Sequence, residues 1–163
     1  MKRKSTILKF IPMFIMMGVI FVFSQMPGDE SGEMSGKILD EVIKIVNTIS
    51  KQGIHGIDTE KLHWFIRKCG HFSEYALFGW CTIYALTDLV RNKWAACIFS
   101  EAIVFVYAVT DEFHQHLVPG RYMSAADVGI DSLGALLGIW IFVIFKKECR
   151  IDAARNGESH ETL

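Results

Sequence analysis

Apolar residues in this chain gather into blocks, and charge is confined to the gaps between them. Four blocks cover about residues 7–24, 71–90, 94–110 and 128–145. Each approaches the roughly 20 mostly apolar residues a helix needs to cross a bilayer. The pattern predicts an all-α integral membrane bundle of about four transmembrane helices, one domain over residues 1–145. The short turn Arg91-Asn92-Lys93 makes the second and third blocks a hairpin, and a polar loop over 111–127 leads into the fourth.

The longest polar stretch separates the first two blocks. Within 35–51, Ile38, Leu39, Val42, Ile45, Val46 and Ile49 recur at helical spacing, with Lys37, Asp40, Glu41, Lys44 and Lys51 opposite. This is an amphipathic helix too polar to span. It either lies flat on the membrane surface or packs on the protein's own loops. The charged tail, 146–163, lacks periodicity and is expected to be disordered.

A basic cap, Lys2-Arg3-Lys4, precedes the first block, as in a signal peptide. No small-x-small cleavage site follows, so the block reads as an uncleaved helix. With four spans, Lys2, Arg3, Lys4, Arg91, Lys93, Lys146, Lys147 and Arg150 share one side. The positive-inside rule then makes this a multi-pass cell-membrane protein with both termini in the cytoplasm, against the opposing vote of Arg67 and Lys68.

Composition adds exclusions. The 163 residues carry a net charge of −1 and no Lys/Arg-rich patch with interleaved aromatics, which argues against nucleic acid as a partner. Cys69, Cys81, Cys97 and Cys149 have no C-x-x-C spacing and read as packing residues. Met13, Met16 and Met17 read as lipid-facing bulk rather than a metal site.

The candidate chemistry lies at one end of the bundle. Ser24 and Gln25 close the first span there. Lys68, His71, Glu74 and Tyr75 open the second. Asp111, Glu112, His114, Gln115 and Arg121 follow the third, and Asp127 and Asp131 begin the fourth. His71, Glu74 and Tyr75 share a helix face, while Asp127, Asp131, Gly134 and Gly138 form a stripe suited to close helix packing. Glu101 falls about 16 Å deeper than Glu112 at helical rise, where structural pairing is its expected role. Ionisable groups at membrane depth are costly, which makes such a convergence a functional-site hypothesis.

Several of these residues form motifs. Arg67-Lys68-Cys69-Gly70-His71-Phe72-Ser73-Glu74-Tyr75 resembles the R-K-x-x-H-F-x-E-Y signature of the VanZ-like family. Asp111-Glu112-Phe113-His114-Gln115 resembles its D-E-x-H-Q element, and Val118-Pro119-Gly120-Arg121 its V-P-G-R. Asp127 and Asp131 match its paired aspartates. Phe23-Ser24-Gln25 before Pro27-Gly28 is similar to its F-S-x-Q-P-G segment, altered by Met26. The resemblance implies a role in the bacterial cell envelope, the founding member being associated with resistance to the glycopeptide teicoplanin. It implies no particular reaction.

Two readings of the cluster follow. In the first, an enzyme acts on a phosphate- or pyrophosphate-bearing lipid headgroup at the outer leaflet. His71 or His114 is nucleophile or general base, oriented by Glu74, Asp111 or Glu112. Arg121, with Lys68 or Arg67, clamps the anion. Tyr75, Gln115, Asp127 and Asp131 complete the substrate-facing set. In the second, the same residues bind a lipid, wall precursor or lipoglycopeptide without turnover. The partners are membrane lipids or lipid-linked wall precursors in either case. A divalent metal on the carboxylates and imidazoles stays an open option, although no dedicated metal spacing is present.

Overall fold

The computed structural model describes residues 6–49 and 59–158, and every regular element among them is helical. The helices are α1 (Phe10–Ser24), α2 (Gly28–Ile49), α3 (Thr59–Leu86), α4 (Lys93–Gln115) and α5 (Ala125–Glu158). Three helical segments are long and apolar enough to cross a membrane: Thr6–Ser24, Lys93–Gln115 and Ala125–Lys146. The expected fourth span lies in α3, which does not meet that standard. It carries Arg67, Lys68, His71 and Glu74, which lower its hydropathy, and its apolar residues are divided between the bundle interior and the exposed surface, where Trp64, Phe65 and Leu77 lie. Tyr75 and Phe78 are completely buried in the interior.

The tightest packing is between α3 and α5. A Cβ at Gly134 would collide with the carbonyl of Phe72, and one at Gly138 with that of Ala76. Only glycine permits this backbone approach, so the predicted stripe on α5 is its packing face. The result is that Asp131, three residues before Gly134, has no exposed surface. Tyr75, Phe78 and Tyr107 stack edge to face across α3 and α4, with centroids 6.2 and 5.2 Å apart. The Tyr107 hydroxyl then donates to the Met17 carbonyl of α1 at 2.6 Å.

The far end of the bundle is closed by the Lys9–Asp88 ion pair at 2.7 Å. Asn92 caps α4 by accepting from the Trp94 and Ala95 amides. Large exposed apolar side chains such as Phe14, Val22, Ile98, Phe105, Leu133 and Trp140 stud the outside of α1, α4 and α5. Such surface suits lipid and would be a liability in water.

Several boundaries differ from expectation. The α4 helix runs to Gln115, so Asp111, Glu112, His114 and Gln115 sit on its last turn and the loop shrinks to 116–124. Backbone of the expected disordered tail continues as helix to Glu158, in keeping with its Lys, Glu, Arg and Ala content. The amphipathic helix begins at Gly28, behind Pro27, a residue well suited to starting a helix. Leu39 is buried against the bundle, while Met34, Ile38, Val42 and Ile45 stay exposed. Met13 belongs to the core, with Met16 and Met17 packed against it, because α1 turns that face towards α3 and α4 instead of lipid. Cys69, Cys81 and Cys97 are free thiols. The basic cap at 2–4, Lys51 and residues 159–163 lie outside the described residues.

Candidate functional site

The polar groups converge from all five helices. On the last turn of α4, Gln115 Nε2 donates to Asp111 Oδ2 at 2.9 Å and to Ser24 Oγ, at the end of α1, at 3.2 Å. One turn around, Glu112 Oε2 accepts the Ser124 amide at 2.8 Å. That bond ties the start of α5 to α4 and closes the loop that carries Arg121. Gly120, at φ +75°, supplies the left-handed residue this loop needs, and the Gly28 amide donates to the Pro119 carbonyl at 3.1 Å. The α1–α2 junction and the 116–124 loop are therefore held together.

Arg121 is swung inward by this loop and is 9% exposed. Its Nη2 donates to the Phe23 carbonyl at 3.3 Å, and its Nε is buried without a partner. Burial, and secondarily the Arg67 guanidinium, push its pKa below the ordinary arginine range, against the pull of Asp111, Glu112 and Glu74. Guanidinium groups such as these are donors suited to phosphate oxygens, although the Glu74, Asp111 and Glu112 carboxylates also act on Arg121.

His71 Nδ1 stands 3.6 Å from Asp131 Oδ1. The closest acidic partner of this imidazole is thus Asp131, expected to face substrate, in place of Glu74, Asp111 or Glu112. Both Asp131 oxygens, His71 Nδ1, the Tyr75 hydroxyl and Glu112 Oε1 are buried without hydrogen-bond partners. Tyr75 lies in the field of the Asp111 and Asp131 carboxylates. These buried atoms form one polar layer between α3, α4 and α5.

A cavity of about 280 Å³ opens beside this layer. Arg67, His71, Glu74 and Arg121 are its ionisable lining residues, with Ser24, Ser31 and Ser35, and Phe23, Met26, Met34, Ile38 and Ile66 make up much of the rest. Tyr75, Asp111, Glu112, Gln115, Asp127 and Asp131 form no part of its lining and stand behind it or beside it. Lys68 is committed to an ion pair with Asp127, both being largely buried, and its ammonium also lies over the Trp64 ring. Of Arg67 and Lys68, Arg67 is the one that reaches the cavity, where it joins Arg121. His114 stacks on Phe21 at 4.9 Å, away from the lining. Glu101 keeps a buried Oε2 without a hydrogen-bond partner, so that oxygen does not make the expected structural pairing. Among the described residues no three His, Cys, Asp or Glu side chains are grouped as a metal site.

Helix α2 is the participant that sequence reasoning missed. Its cavity residues Ser31, Ser35 and Ile38 recur at i, i+4 and i+7, a face that carries no charge and so does not stand out in a search for ionisable groups.

No curated protein and no solved structure matches the chain. The family model described as VanZ/LLP1 matches residues 9–146, from the start of α1 to the end of the apolar part of α5. The chain is a membrane protein of the VanZ/LLP1 family.

Proposed function

We propose that this protein hydrolyses a phosphate- or pyrophosphate-bearing lipid, or lipid-linked wall precursor, at the outer leaflet of a bacterial cell membrane. Four crossings, α3 included, with both termini in the cytoplasm, put the cavity outside. The observation that carries the reading is the shared cavity of Arg67, Arg121 and His71, backed by buried Asp131.

In this scheme the guanidinium groups hold the phosphoryl oxygens and offset the charge that develops on them. Asp131 orients His71 through Nδ1, leaving Nε2 as base. Nε2 takes a proton from water as the water oxygen bonds to phosphorus. The bond from phosphorus to the leaving oxygen breaks, and that oxygen recovers the proton. Asp111, Glu112 and Gln115 hold the loop and helix ends in place. A link to glycopeptide resistance would run through altered wall precursors or their access.

A second reading is binding without turnover. The 3.6 Å separation of His71 and Asp131 favours it, being longer than a hydrogen bond. Mass spectrometry of envelope lipids incubated with the purified chain separates the two. A product formed by the unmodified protein and absent with His71→Gln supports hydrolysis. Retained turnover in that variant removes His71 from the chemistry. Lipid retained intact by both selects the binder.

A further inference from the structure

The cavity is too apolar for a free anion. Besides its ionisable residues and the small Ser24, Ser31, Ser35 and Gly70, the walls are Phe23 and Met26 from the end of α1, Met34 and Ile38 from α2, and Ile66 from α3. Of the two α2 serines in the lining, Ser35 is already spent: its Oγ donates to the Ser31 carbonyl of its own helix at 2.6 Å. An inorganic phosphate between the arginines would leave this wall wetted, at a cost proportional to its apolar area. A continuous strip also leads outwards, because Met34, Ile38, Val42 and Ile45 follow one face of α2 and are 38–57% exposed. Two guanidinium groups, a mainly apolar lining and an apolar strip leading away describe the complement of an amphiphile. At about 280 Å³ the space is near the lower end of small-ligand pockets, which run roughly 300–1,000 Å³.

We propose that α2 roofs a seat for a hydrocarbon chain whose phosphate head lies between Arg67 and Arg121, so that the ligand is recognised at both ends. This rests on the anion reading of the site and adds the chain to it. Helix α2 becomes the element that selects the lipid, and Met34, with its adaptable thioether, suits a wall that meets a flexible chain.

The test uses the full chain in lipid nanodiscs, with inorganic phosphate and butyl, hexyl, octyl and decyl phosphate as probes. Affinity is expected to rise by about fourfold per methylene added until the groove is full. Ile38→Trp, at a half-exposed position, should fill the groove and erase that rise. Met34→Trp provides the same block from the neighbouring turn if the first variant fails to fold. A rise that persists undiminished in the blocked variants is partition into bilayer and overturns the proposal. So does equal affinity for inorganic and decyl phosphate. Arg67→Gln distinguishes the two levels: binding it weakens, but without chain dependence, sinks only the chain seat, whereas binding it leaves unchanged sinks the anion reading as well.

Discussion

His71 on α3 and Asp131 on α5 meet across 60 positions of sequence, the imidazole Nδ1 3.6 Å from a carboxylate with no exposed surface. The glycines that follow Asp131 make this encounter possible, since Gly134 and Gly138 bring α5 against the carbonyls of Phe72 and Ala76. Packing and chemistry are thereby coupled along one helix pair.

That coupling predicts the effect of Gly138→Val. A side chain there must displace the backbone of α3, and overpacking of this kind typically costs about 1–3 kcal/mol. Thermal unfolding in detergent should show a lowered midpoint. An unchanged midpoint would mean that the two helices are not in backbone contact.

Asp131→Asn keeps the volume of the side chain but removes its charge. If His71 is the base, turnover should fall at least about tenfold, and His71→Gln should cost roughly 10²- to 10⁴-fold, the usual worth of a general base. Lipid binding should survive both changes. Loss of binding alongside activity would reduce the pair to a structural role.

Lys68 and Asp127 face each other with side chains 18% and 13% exposed. Removing either partner alone strands a charge, which for buried pairs costs about 3–5 kcal/mol. The double variant Lys68→Met/Asp127→Leu should be closer to the unmodified protein than either single change. Additive losses in an unfolding series would show that the two residues do not interact.

Glu112 serves through its grip on the Ser124 amide. Glu112→Gln keeps an acceptor at that position and should preserve anion binding. Glu112→Ala should release the loop, with a stability loss of about 1–3 kcal/mol for the exposed backbone donor and weaker binding through a displaced Arg121. Equal binding by both variants would separate the loop anchor from the site.

The apolar blocks are legible in the sequence because bilayer thickness sets a length that few soluble helices match. The glycine stripe on α5 is legible for a similar reason, since helical spacing and small size are both local facts. The polar layer at one end follows from adding these together. Partner choice within it is not local. Lys68 pairs with Asp127 and His71 with Asp131 because α3 packs on α5, and helix order leaves no mark on residue spacing. The same gap concealed the core position of Met13, whose environment depends on which way α1 is turned. The α2 wall is made of apolar and small hydroxyl side chains, so no ionisable residue marks it in the sequence.

The claim that an anionic lipid sits between two arginines is most directly tested by arginine-specific labelling in native membranes. Arg67 is exposed and lines the cavity, while Arg91, also exposed, lies in the turn between α3 and α4 at the far end. Phenylglyoxal modification of both can be read by peptide mass spectrometry, with and without decyl phosphate. Protection of Arg67 with Arg91 labelled as before is the expected result. Labelling of Arg67 that decyl phosphate leaves unchanged would contradict an anion site in this cavity.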